Sequence, residues 1–134
     1  MLDLLDKGGY SLVCRSRGGE IRCFTSRGVD DIFHLLCSEP EFLKGATLAD
    51  KIIGKGAAAL MIKAGVSEVS THVVSEGALK IFEKSEIKLN FEQTTPYVIN
   101  RDKSGWCPLE ARLKDENDLE KIIEIINKRF DYAN

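Results

Sequence analysis

The stretch ADKIIGKGAAALMIKAG, residues 49–65, is the most distinctive part of this chain. Apolar or small residues recur along it three and four positions apart, which is the spacing of one face of an α-helix. Thr47 suits a helix N-cap, and Asp50 suits the third helical position of a capping box. Gly65 suits the residue that ends a helix. We therefore predict a closely packed helix over residues 49–64.

The Gly54-Lys55-Gly56 triplet within this stretch partly matches a phosphate-binding loop. A P-loop needs G-x-x-x-x-G-K-[ST] between a strand and a helix, so that free backbone N–H groups point at phosphate. Ala49 stands where the first glycine would be, and Gly56 stands where the serine or threonine would be. The triplet therefore predicts no P-loop. Close helix packing accounts for Gly56, whereas Gly54 lies on the other face, where a small residue leaves room for a ligand.

Strand and helix patterns alternate along the remainder of the chain. The predicted helices cover residues 2–7, 29–39, 49–64, 76–85, 107–114 and 115–130. The predicted strands cover residues 10–16, 20–26, 67–75 and 87–100, the first two forming a hairpin. This order predicts a single α/β domain over residues 1–134, a three-layer α/β/α sandwich around a mixed sheet.

Composition and charge narrow the classes of function. The chain is 43% apolar and carries a net charge of −2, so neither nucleic-acid binding nor membrane binding through bulk electrostatics is predicted. None of the four cysteines forms a Cys-x-x-Cys pair, and no export signal precedes them. They are interpreted as free thiols of a cytoplasmic protein. Cys14 and Cys23 fall in neighbouring strands and could face one another, although small apolar sheet residues are the simpler interpretation.

Three motifs in order, LADKIIGKGAAALMI, THVVSEGAL and INRDKSGWCPLE, resemble a family of uncharacterised bacterial and archaeal proteins of unknown function. The resemblance covers roughly residues 10–114 and implies a cytidine-deaminase-like fold. Zinc deaminases carry H-x-E and P-C-x-x-C at two helix starts. The corresponding positions here read LAD or ADK and VSEGA, and His34 and His72 lie elsewhere, so no metal and no cofactor are predicted.

In such a fold the starts of two core helices meet at one end of the sheet. Helix N-termini offer N–H donors and positive partial charge, which favour phosphate or carboxylate. We therefore predict that a small nucleotide-like ligand binds at this end, with Trp106 available for stacking. The predicted ligand-binding residues are Lys51, Gly54, Lys55, Ser75, Glu76 and Trp106.

Three other functions stay open. The chain could be an enzyme with Cys107 as nucleophile, Asp50 or Glu110 as acid or base, and a lysine stabilising negative charge. It could be a divergent zinc deaminase with altered ligands. It could also be an interaction protein whose amphipathic C-terminal helix mediates assembly, so a homo-oligomer is among the alternatives. The sequence does not decide whether the chain is an enzyme.

Overall fold

The structure is a computed structural model that describes residues 2–25, 28–96, 112–113 and 115–133, with residues 129–133 described by their backbone. The described residues form five strands and six helices. The strands are β1 (Leu12–Arg15), β2 (Ile21–Phe24), β3 (Thr47–Ile53), β4 (Glu68–Ser75) and β5 (Lys88–Thr95). The helices are α1 (Leu2–Gly8), α2 (Gly28–Ser38), α3 (Pro40–Leu43), α4 (Lys55–Ala64), α5 (Glu76–Glu83) and α6 (Leu119–Ala133).

The five strands make one open mixed sheet in the order β2-β1-β3-β4-β5. Strand β1 is antiparallel to both of its neighbours, whereas β3, β4 and β5 are parallel to one another. Parallel neighbours need a crossover connection, and α4 and α5 supply the two crossovers. Both helices therefore begin at the edge of the sheet where the parallel strands end.

Apolar side chains cover both faces of the sheet. Successive residues of a strand point to opposite faces, and on β1 Leu12 and Val13 accordingly belong to different clusters. The larger cluster packs the sheet against α2 to α6. The smaller cluster packs Leu5 of α1 against Val13 and Ala49. The chain is thus a mixed α/β protein with α1 alone on one face of the sheet and the other five described helices on the opposite face.

The predicted helix over residues 49–64 is wrong in its first part, because residues Thr47–Ile53 form β3. This strand lies between β1 and β4, and consecutive residues Leu48 and Ala49 are both fully buried, on opposite faces. Because these two apolar residues are buried on opposite faces, the start of the strand lacks the alternation of apolar and polar residues, and its periodicity does not distinguish it from a buried helix. The helix begins at Lys55 instead, with Gly54 as its N-cap.

Most other predicted elements are confirmed. The N-terminal helix, the hairpin, the helices after it and after β4, strand β4 and the C-terminal helix all form, with boundaries shifted by a few residues. Helix α3 was not predicted. The predicted helix over residues 107–114 and the end of the predicted strand over 97–100 lie outside the described residues, apart from the helical residues 112–113.

The two hairpin cysteines do not face each other. Cys14 pairs with Arg22, and Cys23 pairs with Val13, so the two thiols lie on opposite faces of the hairpin. Cys14 is buried and Cys23 is exposed, and both are free. The interpretation of Cys14 as a small apolar sheet residue is therefore confirmed. Within the described ranges, no helix combines the length and the apolar composition needed to cross a membrane.

The end of α4 generates a first prediction. Gly65 adopts the left-handed conformation, with φ at 79°, and its N–H donates to the carbonyl of Ile62. Replacing Gly65 by Ala should lower the free energy of unfolding by about 1 kcal/mol, because a side chain disfavours this conformation. Urea denaturation of the variant and the wild type measures the difference.

The matched control is Gly18→Ala in the hairpin turn. The nearest heavy atom to an added Cβ there is Ser16 Oγ at 3.9 Å, and the backbone is not left-handed. That variant should stay within about 0.5 kcal/mol of the wild type. Equal destabilisation by the two substitutions would contradict a specific conformational requirement at Gly65.

Candidate functional site

Two strand-to-helix junctions lie side by side at the carboxyl edge of the parallel strands. Ile53 of β3 pairs with Val74 of β4, and each strand passes directly into a helix. Gly54 precedes α4, and Ser75 precedes α5. The structure therefore brings four of the predicted ligand-binding residues to one edge of the sheet, namely Gly54, Lys55, Ser75 and Glu76.

The two helix starts are capped differently. The Ser75 side chain accepts a hydrogen bond from the backbone N–H of Ala78 at 3.1 Å, so Ser75 is the N-cap of α5. Gly54 has no side chain and contributes no such cap to α4. The first backbone hydrogen bond of α4 runs from the N–H of Ala58 to the carbonyl of Gly54. The positive end of the α4 dipole therefore receives no side-chain oxygen from its own N-cap residue.

Lys55 is a buried charge at this edge, with only 5% of its surface exposed. Its Nζ donates to the backbone carbonyls of Leu113 at 2.9 Å and Glu116 at 2.7 Å. Its stem crosses the start of α5, where a Cβ added at Gly77 would lie 3.0 Å from Lys55 Cε. Lys55 thus joins the two helix starts to the segment before α6, and its ammonium serves the protein's own backbone.

Lys51, which the predicted helix over residues 49–64 would include, lies instead on β3. Asp50 and Lys51 follow one another on this strand and point to opposite faces of the sheet. Asp50 is buried and Lys51 is exposed. The predicted site residues Asp50 and Lys51 therefore do not lie at a helix start, whereas Gly54 and Lys55 do.

Asp50 is a buried carboxyl group in the middle of the sheet, 5% exposed, between Leu12 of β1 and Thr71 of β4. Burial raises its pKa to about 7, although hydrogen bonds from the backbone N–H groups of Lys51 and Ile52 act in the opposite direction. The nearby carboxyl group of Asp31 raises the pKa of Asp50 further.

Asp31 of α2, which is half-buried, and the buried thiol of Cys14 on β1 lie near Asp50. Burial and the neighbouring Asp30 raise the pKa of Asp31, and its Oδ2 has no hydrogen-bond partner among the described residues. Burial, and then the two carboxyl groups, raise the pKa of Cys14 to about 12, so this thiol is protonated at neutral pH. No set of three or more potential metal ligands occurs in the described part of the chain.

Sequence reasoning missed Asp31 as a partner of Asp50. Asp30 and Asp31 read as ordinary acidic residues in the first turn of a helix. Nothing in the local pattern indicates that one of them approaches β3. Cys107, Glu110 and Trp106, the remaining predicted site residues, lie outside the described residues and stay predictions.

Replacing Lys55 by Met keeps most of the stem but removes the donor for two backbone carbonyls. Because hydrogen bonds from a charged group contribute more than neutral ones, we expect the free energy of unfolding to fall by about 2–4 kcal/mol. Lys63→Met, at an exposed position in the last turn of the same helix, is the matched control. Urea denaturation of both variants measures the effect, and equal stability of the two would contradict a structural role for the buried ammonium.

Replacing Asp50 by Asn tests the buried carboxyl group. Its folded-state pKa of about 7 lies above the ordinary 3.8, so the fold favours the protonated form. The stability contributed by that form is complete below pH 3.8 and is lost as the pH rises through about 7. We expect the unfolding free energy of the wild type to fall relative to D50N across this interval.

Urea midpoints of wild type and D50N over a pH series measure this difference. Asp115→Asn, at an exposed position, is the control for removal of a carboxylate. Parallel pH profiles for the wild type and D50N would contradict a carboxyl group that is neutral in the fold.

Comparison with known proteins identifies the family of this chain. Residues 1–130 match the family model described as TM1506, domain of unknown function (DUF1893). The fold is similar to the crystal structure of a DUF1893 family protein, TM1506 from Thermotoga maritima, with a TM-score of 0.85 and 26% sequence identity. That similarity covers 96% of this chain and 86% of the other. No curated protein matches the chain. The resemblance to a family of unknown function is thereby confirmed, and the chain belongs to the DUF1893 family.

Proposed function

We propose that this protein binds a small anionic, nucleotide-like molecule at the sheet edge where α4 and α5 begin. The observation that carries the proposal is the pair of adjacent strand-to-helix junctions on parallel strands β3 and β4. Ligands of open α/β sheets bind outside the carboxyl ends of the strands. Two neighbouring helix N-termini add positive partial charge at that edge, which favours a phosphate or carboxylate group.

The proposal includes a three-layer, cytidine-deaminase-like scaffold. A five-stranded mixed sheet with helices on both faces and crossovers α4 and α5 supports it. In deaminases the zinc motifs lie at two helix starts. The helix starts here read Gly54-Lys55-Gly56 and Ser75-Glu76-Gly77, without histidine or cysteine. These residues do not fit zinc, so we propose ligand binding rather than zinc-dependent deamination.

The residues at this edge divide into anion-binding and supporting roles. The positive partial charge at the starts of α4 and α5 would attract the anion, and Gly54 adds no side chain at this edge. Lys55 has a supporting role, because its ammonium donates hydrogen bonds to backbone carbonyls of the segment before α6. Glu76, exposed at the start of α5, would accept a hydrogen bond from a ligand hydroxyl. We do not assign Lys51 to this site, because it lies within β3 and not at a helix start.

We propose binding and assign no catalytic residue. Asp50 has a pKa of about 7, in the range that general bases use, but it is buried within the sheet. The predicted nucleophile Cys107 and its companion Glu110 lie outside the described residues, and Trp106 stays a predicted stacking partner for the ligand.

Isothermal titration calorimetry with AMP, ATP, CMP and inorganic phosphate tests the proposal. The informative variant is Gly54→Asp, because aspartate is a favourable N-cap residue and its carboxylate repels an anion from the same helix end. We expect at least one nucleotide to bind the wild type. Its affinity for the variant should be about tenfold lower, which corresponds to about 1.4 kcal/mol.

Gly18→Asp, in the exposed hairpin turn, adds the same charge elsewhere and should leave the affinity unchanged. Circular dichroism establishes that both variants are folded. Absence of binding by every probe at millimolar concentration would overturn the proposal. Undiminished binding to folded Gly54→Asp would place the ligand at a different surface.

A further inference from the structure

A histidine between two carboxylates lies on the face of the sheet that α1 covers. The Nε2 atom of His72 on β4 lies 2.8 and 3.0 Å from the two carboxylate oxygens of Asp6 on α1. The Nδ1 atom lies 2.5 Å from a carboxylate oxygen of Glu92 on β5. This carboxylate–histidine cluster, Asp6-His72-Glu92, joins a helix to two strands.

The bonding pattern fixes the protonation state of the ring. Ionised carboxylates only accept hydrogen bonds, and a neutral imidazole carries a single N–H donor. Two carboxylates can therefore both be bound only when both ring nitrogens carry a proton. His72 in this arrangement is an imidazolium cation, and loss of one proton leaves either Asp6 or Glu92 facing a lone pair.

The charged residues around His72 affect the pKa of its ring. Hydrogen bonds to Glu92 and then to Asp6 raise the pKa of His72. Lys51 of β3 lies opposite His72 of β4, because the residues on either side are paired: Asp50 with Thr71, and Ile52 with Val73. The other charged residues of α1, Asp3 and Lys7, form no ion pair with His72 in the described part of the chain.

Helix α1 has little else to hold it. It is seven residues long and has a single buried side chain, Leu5, which packs against Val13 and Ala49. Leu2 and Tyr10 contact this small cluster at its margin. A helix this short is not stable by itself in water, so its docking depends on these few contacts. Among the described residues, the side-chain hydrogen bond that ties α1 to the sheet is the one between Asp6 and His72.

We infer that protonation of His72 controls the docking of α1 on the sheet. The imidazolium holds Asp6 of α1 and Glu92 of β5 together, and the neutral ring retains only one of them. Release of α1 uncovers the apolar side chains of Val13 and Ala49 and leaves the larger core, which lies on the opposite face, intact.

The direction of the pH dependence follows from linkage. His72 gains the carboxylate of Asp6 when α1 docks, whereas Glu92 of β5 is its neighbour in either state, so His72 binds its proton more tightly in the docked state. Docking is therefore strongest below the pKa that His72 has with Glu92 alone, and it weakens as the pH rises through the higher value that Asp6 adds on docking. The loss is about tenfold in the docking equilibrium for each unit by which docking raises the pKa.

Two measurements on the full chain test the inference. NMR titration of the two histidine rings compares His72 with His34, which is the internal reference because the chain has two histidines. Hydrogen exchange, corrected for the intrinsic effect of pH, follows the α1 amides at pH 6 and pH 9. We expect His72 to titrate above His34, and we expect α1 protection to fall at pH 9 while α4 protection does not.

Two variants separate the cluster from general effects. Asp6→Asn should lower the His72 pKa and the α1 protection at pH 6, and His72→Gln should make α1 protection independent of pH. His34→Gln is the matched control and should behave as the wild type. A His72 pKa at or below that of His34 would overturn the inference, as would α1 protection with the same pH dependence in the wild type and in His72→Gln.

Discussion

The central strand of the sheet constrains this protein more than any other element. Strand β3 lies between β1 and β4, with consecutive residues buried in two different apolar clusters. Because it is central, it fixes where β4 pairs and where α4 begins. The same burial isolates the Asp50 carboxyl group from water and holds it mostly neutral below pH 7. The central position of β3 therefore determines both where α4 begins and the raised pKa of Asp50.

Local patterns predicted the elements whose signals are local. The hairpin has β-rich segments on either side of a glycine turn, and Ser75 stands directly before an amphipathic helix, so both could be read from the sequence. Strand β3 could not, because Leu48 and Ala49 are buried on opposite faces and interrupt the alternation that identifies a strand. Misplacing it also misplaced Asp50 and Lys51, which were assigned to a helix start that begins later, at Lys55.

Contacts distant in sequence were beyond prediction from a single chain. The Lys55 ammonium meets carbonyls 58 and 61 residues away, and His72 meets Asp6 across 66 residues. The residues next to Lys55 and His72 in the sequence do not indicate which distant groups these side chains contact. The two histidines were expected not to hold a metal, and the structure instead shows one of them, His72, bonded to two carboxylates.

The attachment of Lys55 to residues 113 and 116 also orders the events of folding. These acceptors lie near the end of a 134-residue chain, whereas the lysine lies near its middle. A growing polypeptide that has passed residue 100 can form the sheet order β2-β1-β3-β4-β5, but it still lacks the carbonyls that the buried ammonium requires. The edge of the sheet where α4 and α5 begin therefore reaches its final form only after residue 116 has been synthesised.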